Sequence, residues 1–183
     1  MINNRDMPKK CKVLLSKWQK NLNLTNYEKT KFEDVLSQLN YQIKKLEKKE
    51  IQISVYGRVG VGKSSLLNAL IEKQVFPTDI VNGNTKRIKS YKLDQGFKSL
   101  HKVELIDSPG IDEINNYNQE EINFNYILDT DLILFVIDSD ITRIDLKIIE
   151  KLLIHNKPIL IVLNRCDQWS QKEVKLIIAS IHN

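Results

Sequence analysis

Long apolar runs are missing from this sequence of 183 residues, and their absence excludes a transmembrane helix. No run approaches the roughly 18 consecutive apolar residues that a transmembrane helix needs. The first ten residues, MINNRDMPKK, lack the apolar segment of a secretory signal peptide. The sequence therefore predicts a protein of a cytoplasm-like compartment, with neither a signal peptide nor a transmembrane segment.

Cysteine is scarce as well. Cys11 and Cys166 are far apart in the sequence, and they match neither a metal-binding nor a redox spacing. We expect reduced, structural thiols, as is usual for a cytoplasm-like compartment.

Acidic residues are scarce near the N-terminus. Residues 1–50 contain 12 Lys or Arg against 6 Asp or Glu, a net charge of +6, whereas residues 51–183 have a net charge of −1. The basic character of the chain therefore belongs to its N-terminal arm.

This N-terminal arm shows a helical pattern. Residues 9–22 predict a short basic helix with apolar residues along one side: Val13, Leu14, Trp18 and Leu22. Thr25-x-x-Glu28 predicts a capping box that opens a second helix, in which apolar residues recur in steps of four and three from Phe32 to Leu46. That seam covers only about two heptads, too few for a free coiled coil. We expect a helical hairpin packed on itself or on a globular domain; docking on a membrane or on RNA is the alternative.

The stretch around which the chain is organised lies at residues 51–70, IQISVYGRVGVGKSSLLNAL. An alternating apolar run from Ile51 to Val55 predicts a strand, and leucines at helical spacing predict a helix after it. Between them lies the motif G-x-x-x-x-G-K-S, at residues 57–64. A strand, a glycine-rich turn and the start of a helix are the setting that a phosphate-binding loop requires.

The residue types of this motif suit phosphate chemistry. Glycines permit positive φ, so that successive N–H groups turn toward an anion at the N-terminus of the new helix. Lys63 would reach the β- and γ-phosphates, and the Ser64 hydroxyl would hold Mg²⁺. We expect Lys63 to be a solvent-side charge and not a core contact. The alternative for the motif alone is a glycine-rich turn that binds nothing.

Strands alternate with helices along the rest of the chain. Further strands are predicted at 87–93, 100–106, 131–137 and 158–163, and this alternation favours an α/β, doubly wound parallel sheet. In such sheets ligands bind beyond the carboxyl ends of the strands. Three polar stretches lie at those ends: Gly57–Ser64, Asp107–Gly110 and Asn164–Asp167. We expect them to form one site.

With these motifs in order, the sequence resembles an Era-like P-loop GTPase over residues 51–170. The resemblance implies a three-layer fold with one antiparallel strand in the sheet. It also implies that GTP or GDP, with Mg²⁺, is the ligand. The phosphate loop and the residue after it would bind the nucleotide: Gly57, Arg58, Val59, Gly60, Val61, Gly62, Lys63, Ser64 and Ser65.

The resemblance also implies roles for the later motifs. Thr85, 22 residues after Lys63, matches the first switch threonine, which closes on Mg²⁺ and the γ-phosphate. Asp107-Ser108-Pro109-Gly110 matches D-x-P-G, whose carboxylate holds Mg²⁺ through water and whose glycine N–H senses the γ-phosphate. The metal set would be Ser64, Thr85 and Asp107, and the catalytic set Lys63, Thr85 and Gly110. Asn164-Arg165-Cys166-Asp167 matches the guanine motif N-K-x-D, with Arg165 in the lysine place.

A narrower resemblance covers nearly the whole chain. GRVGVGKSSLLNAL, VFPTDIVNGNTK, LIDSPGIDEI and LILFVIDSDITR are similar to Era-like GTPases of cyanobacteria and plastids, and so the plastid stroma is a second expected location. Those proteins carry a helical segment before the G domain, which predicts a helical extension at 1–50 and a G domain at 51–183. Compared with a complete G domain, the last strand and helix are expected to be lacking, so that the 158–163 strand would form an uncovered edge.

Two departures from the family bear on hydrolysis. Ile111 stands where Ras-like proteins carry a water-orienting glutamine, and Gly60 stands where potassium-activated relatives carry an asparagine. The sequence therefore predicts a slow, Mg²⁺-dependent GTPase that acts as a switch, with a partner or a G-domain dimer supplying the missing charge. The alternative is a GTP- or GDP-gated binding module that barely hydrolyses and docks on a membrane or RNA through its basic arm.

Overall fold

Seven α-helices and five β-strands are seen in the computed structural model, which describes residues 7–78, 88–93, 102–111 and 117–181. The helices are α1 (Met7–Asn21), α2 (Asn26–Lys31), α3 (Glu33–Lys48), α4 (Lys63–Ile71), α5 (Tyr117–Leu128), α6 (Arg143–Ile154) and α7 (Gln171–Ile181). The strands are β1 (Glu50–Tyr56), β2 (Lys89–Leu93), β3 (Lys102–Asp107), β4 (Leu132–Ile137) and β5 (Ile159–Leu163). A short 3-10 helix, Cys166–Gln168, follows β5. No described helix has the length and apolar character needed to cross a membrane.

The five strands form one sheet in the order β2-β3-β1-β4-β5. β1 and β4 are parallel, with Ile53 opposite Leu132, and β4 and β5 are parallel, with Ile133 opposite Ile159. The sheet is mostly parallel with one antiparallel pair, and helices cover both sides. The predicted three-layer α/β fold is confirmed. β5 lies at an edge of the described sheet, as expected for the 158–163 strand.

The central strand β4 carries much of the hydrophobic core. Its residues from Ile133 to Ile137 are all buried, as an apolar run in a parallel sheet covered on both faces should be. Phe135 lies edge-on to Tyr56 of β1, with ring centroids 6.5 Å apart. The same cluster contains Tyr56, Phe124, Ile127, Ile133, Phe135, Ile137 and Leu152.

The described residues group into two compact units. One contains residues 7–51 with 102–103, and the other contains those of 52–93 and 104–181. Strand β1 begins at Glu50, and the division of the chain into two domains after residue 50 stays a prediction.

In the first unit the predicted capping box is confirmed. The Thr25 hydroxyl accepts from the Glu28 N–H at 3.3 Å, and the Glu28 carboxylate accepts from the Thr25 N–H at 2.9 Å. The single helix predicted after this box is wrong, because Phe32 leaves helical geometry (φ −106°, ψ 18°) and separates α2 from α3.

Polar contacts join α1 to α3. Lys12 forms an ion pair with Glu47 at 2.7 Å, and the Gln19 side-chain amide donates to Asn40 Oδ1 at 2.9 Å. The packing expected for the apolar side of α1 is wrong for three of its four residues, since Val13, Leu14 and Trp18 are exposed. Of the described residues in the three helices, Ile43 and Lys45 are buried.

Candidate nucleotide-binding site

Three loops carry the predicted site residues, and each follows the carboxyl end of a strand. Residues 57–62 follow β1, residues 108–111 follow β3, and residues 164–168 follow β5. Because the carboxyl ends of parallel strands share one edge of a sheet, the strand order β3-β1-β4-β5 brings the three loops to the same side. Hydrogen bonds join each outer loop to the central one, as follows.

The central loop needs glycine at both of its ends. Gly57 has φ 146° and Gly62 has φ 90°, conformations that L side chains rarely adopt. A Cβ on Gly57 would collide with the Val136 carbonyl oxygen, and one on Gly62 would meet the Asn164 side-chain amide. Gly62 is also the N-cap of α4, so the loop passes directly into the helix N-terminus.

Lys63, the first residue of α4, is folded back into the loop. Its ammonium donates to the Gly57 carbonyl at 3.0 Å and to the Arg58 carbonyl at 2.8 Å. The side chain is only 7% exposed, so the expected solvent-side position is wrong. The physical reason is that carbonyl groups of the loop hold the ammonium inside the curve of the chain.

Ser64 and Asp107 are brought together from α4 and β3. The Ser64 hydroxyl donates to Asp107 Oδ2 at 2.6 Å, and the Asp107 carboxylate is fully buried. A hydroxyl and a carboxylate supply oxygen atoms, the type of ligand that Mg²⁺ prefers. The pair therefore fits the ion that the sequence predicts.

The loop after β3 lies against the central loop. The Ser108 hydroxyl donates to the Val55 carbonyl at 2.7 Å, and the Ile111 N–H donates to the Gly57 carbonyl at 3.3 Å. Gly110 is buried, and a Cβ there would collide with Val59. The Ile111 side chain packs against the hydrophobic core cluster.

The loop after β5 supports the central loop from its other side. The Asn164 amide donates to the Val61 carbonyl at 2.8 Å, and the Asn164 N–H donates to the Ile137 carbonyl at 2.7 Å. Arg165, in the left-handed conformation at φ 56°, donates to the Gly60 carbonyl at 2.6 Å. Asp167 is exposed, in the short 3-10 helix.

Two acidic residues near the site were missed by the sequence reasoning. Asp138 accepts from Arg165 at 3.3 Å and lies 3.6 Å from Arg58, while the buried Asp145 lies 3.2 Å from Arg58. The guanidinium of Arg58, expected at the nucleotide, is thus directed toward these carboxylates. Asp138 directly follows β4, and its position at a strand's carboxyl end was the signal that could have found it.

The remaining predicted residues differ in position. Val59, Gly60 and Ser65 are exposed on the loop and the first turn of α4, whereas Val61 is buried. Thr85, the predicted switch threonine, lies outside the described residues.

The site contains a glycine-rich loop between a strand and a helix, followed by lysine and serine, and the serine bonds to an aspartate on the neighbouring strand of the sheet. This arrangement defines a P-loop nucleotide-binding protein. The family described as 50S ribosome-binding GTPase matches residues 52–165, and the chain belongs to this family. Within it the chain is an Era-like P-loop GTPase, as the resemblance of its motifs implied.

Curated relatives and solved structures agree with this assignment. GTPase Era of Buchnera aphidicola is 33% identical over 126 residues, which are 68% of this chain and 43% of that protein. The probable GTP-binding protein EngB of Mycoplasmopsis agalactiae is 32% identical over 73% of this chain and 70% of that protein. Era in complex with MgGDPNP and nucleotides 1506–1542 of 16S ribosomal RNA superposes with a TM-score of 0.64 at 27% identity, over 73% of this chain and 46% of that one. The chain spans less than half the length of these Era proteins.

Proposed function

We propose that this chain binds guanine nucleotide with Mg²⁺ and acts as a slow GTPase switch. The observation that carries the proposal is the convergence of residues at three strand ends: Ser64 of α4 bonds to Asp107 of β3, and Asn164 and Arg165 bond to carbonyl groups of the central loop. In this proposal the loop from Gly57 to Ser65 surrounds the phosphates. Its lysine moves from the carbonyl groups of the loop to the β- and γ-phosphates.

The metal would be held by the Ser64 hydroxyl and Thr85, and by the Asp107 carboxylate through water. Bound Mg²⁺ would neutralise charge on the phosphate oxygens. The Gly110 N–H, already against the central loop, would sense the γ-phosphate. Support comes from the Era structure solved with MgGDPNP, which shares the fold.

The base would be recognised by the loop after β5. Guanine presents N1–H and N2–H₂ as adjacent donors, and the exposed Asp167 carboxylate could accept from both. Asn164 would brace the loop and contact the base edge, and the Arg165 stem would cover the ring face. Adenine offers an acceptor at N1, which would leave the carboxylate unpaired, and such mismatches cost factors on the order of 10⁴.

Hydrolysis would proceed by in-line attack of water on the γ-phosphorus, releasing GDP and phosphate. Lys63, Thr85 and the Gly110 N–H would stabilise the developing charge. Turnover would be slow because isoleucine at position 111 cannot orient water. An activating partner or a G-domain dimer would supply the missing charge.

A second candidate function is a nucleotide-gated binding module with little hydrolysis. The position of Ile111 favours it, because its N–H bonds to Gly57 and its side chain packs on the core. Such a module would dock through the basic N-terminal arm on a membrane or on RNA. One Era relative was solved with ribosomal RNA. The location, cytoplasm or plastid stroma, stays a prediction.

The sharpest test of the site is which nucleotide base the protein prefers. Asp167→Asn should weaken GTP binding and improve binding of xanthosine triphosphate, whose C2 oxygen needs a donor. Calorimetry with GTP, ATP and xanthosine triphosphate measures this, and nucleotide extracted from the purified protein identifies the natural ligand. ATP binding as tight as GTP in the unmodified protein would refute the guanine assignment.

The rate of phosphate release from bound GTP, measured with and without K⁺, separates the GTPase from the second candidate function.

A further inference from the structure

Helix α1 presents an apolar stripe to solvent. Met7, Leu14 and Trp18 recur in steps of seven and four, which places them on one side of the helix. They are 44%, 66% and 56% exposed, respectively. The opposite side of the helix is the one joined to α3 through Lys12 and Gln19.

Lysines lie next to this stripe. α1 contains five lysines and no acidic residue between Met7 and Asn21. Lys10 and Lys17, one heptad apart and both exposed, lie beside the apolar stripe. We call Met7, Lys10, Leu14, Lys17 and Trp18 the outer face of α1.

We propose that the outer face of α1 docks on the surface of an anionic phospholipid bilayer. A helix that carries lysines beside an apolar stripe lies in the interfacial plane, with the apolar side chains in the acyl boundary and the ammonium groups at the lipid phosphates. The Trp18 indole suits the boundary between the apolar and wet layers. The charge complementarity is strong, because residues 1–50 have a net charge of +6.

Two other occupants fit this face less well. A second copy of the chain would bring two N-terminal arms together, each with a net charge of +6, so electrostatic repulsion opposes self-association through this face. RNA recognition relies on stacking platforms and on planar donors such as arginine. On the outer face only the Trp18 indole offers a stacking plane, and all the basic residues of α1 are lysines.

This proposal names the docking partner left open in the second candidate function. It concerns a face of α1, and it makes no use of the nucleotide site. GTP affinity, measured on the same samples, therefore distinguishes a failure of the docking proposal from a failure of the proposed nucleotide function.

The experiment uses the full chain with Trp169→Phe, which leaves Trp18 as the single tryptophan. Cosedimentation is measured with vesicles of phosphatidylcholine alone and of equimolar phosphatidylcholine and phosphatidylglycerol. We expect binding to the anionic vesicles, a blue shift of Trp18 emission, and a steep loss of binding as salt is raised.

Matched variants assign the binding to the outer face. Leu14→Asp and Leu176→Asp alter leucines of nearly equal exposure, 66% and 65%, on α1 and α7. Lys17→Glu and Lys175→Glu make the same charge change on the same two helices. The α1 variants should lower the partition coefficient by about tenfold or more, because Lys17→Glu replaces an attraction to the lipid phosphates with a repulsion, and Leu14→Asp removes an apolar anchor and adds a negative charge. The α7 variants should leave it within about twofold of the unmodified value.

Three results would overturn the proposal: no binding to anionic vesicles at low salt, equal losses for the α1 and α7 variants, or binding to a single-stranded RNA oligomer without binding to vesicles. Circular dichroism and GTP affinity of each variant show that the fold is retained. Should Leu14→Asp fail to fold, Leu14→Ala with Leu176→Ala provides the same comparison.

Discussion

Each of the two units contains a buried lysine, and the two lysines are held in different ways. Lys45 of α3 is 5% exposed, and its ammonium lies 5.5 Å from the ring centroid of Tyr41, one helical turn away. Lys63 is 7% exposed and donates to two carbonyl groups of the loop before it. Lys45 lies against the Tyr41 ring of its own helix. Lys63 is instead held by carbonyl groups of the loop. The burial of Lys63 therefore bears directly on ligand binding, because a phosphate could replace the carbonyl groups that hold its ammonium.

The two units also differ in how their apolar residues are used. In the second unit, β4 is buried over five successive residues. In the described helices α1 to α3, Ile43 is the buried apolar residue, and aromatic residues such as Tyr27 and Phe32 are exposed. Hydrophobic burial should thus contribute more to the stability of the nucleotide-binding unit than to that of the helices.

The largest expected effect comes from two phenylalanines, one in each unit. Phe135→Ala should lower the free energy of unfolding by about 3–5 kcal/mol, because it empties a fully buried position. Phe32→Ala should change it by only about 0.5 kcal/mol, because the ring is 44% exposed. Urea unfolding followed by circular dichroism measures both. Equal losses would mean that the helices depend on a hydrophobic core as much as the sheet does.

The second prediction uses the two buried lysines. Lys63→Ala should lower GTP affinity by about 100-fold or more, since a hydrogen bond to a charged group contributes about 1.5–3 kcal/mol and a phosphate accepts more than one. Lys45→Ala removes a similarly buried lysine from the other unit and should leave GTP affinity unchanged. Calorimetry compares them. Wild-type affinity in Lys63→Ala would reject the site, and a loss in Lys45→Ala would show that the units are coupled.

A smaller effect is expected from two capping boxes of the same design. Thr142 and Asp145 cap α6 with a fully buried carboxylate, whereas Thr25 and Glu28 cap α2 at the surface. Replacing an N-cap threonine by alanine usually lowers the free energy of unfolding by about 0.5–2 kcal/mol. We expect Thr142→Ala to lie near the upper end of this range and Thr25→Ala near the lower end. The difference arises because Asp145 would lose a donor in a buried place. Unfolding free energies in urea test it, and the reverse order would contradict the assigned role of burial.

Sequence reasoning predicted what depends on local pattern. The motifs at 57–64, 107–110 and 164–167 lie at strand ends because a strand and its following turn are both encoded by neighbouring residues. The approach of Asp145 to Arg58 was not predictable, since 87 residues separate them and only the order of strands brings them together.

Side-chain direction was the other missing information. The periodicity of α1 shows an apolar side, but which side packs is decided by the polar contacts of Lys12 and Gln19 with α3. The direction of Lys63 likewise depends on carbonyl groups, which the sequence does not encode as a pattern.

The smallest expected effect concerns two glutamates, one in each unit, whose lowered pKa values have different causes. The Lys12 ammonium, which donates a hydrogen bond to Glu47 and adds a positive field, holds the pKa of Glu47 below the ordinary glutamate value. In α7 the Ser170 hydroxyl and N–H, without a cation, lower the pKa of Glu173. Lys12→Gln should therefore raise the pKa of Glu47 and leave that of Glu173 unchanged, as carboxyl carbon chemical shifts in an NMR titration would measure.

Salt and pH separate the two origins further. Because the pKa of Glu47 is depressed in the folded protein, its contribution to the α1–α3 contact is present above the unfolded pKa and is lost as the pH falls through the folded pKa. Added salt screens an exposed ion pair, and so it should move the pKa of Glu47 toward the ordinary value. The pKa of Glu173 should respond less, because short hydrogen bonds from a serine cap are not screened in this way. Equal salt responses would show that the Lys12 contact is a hydrogen bond without a significant field.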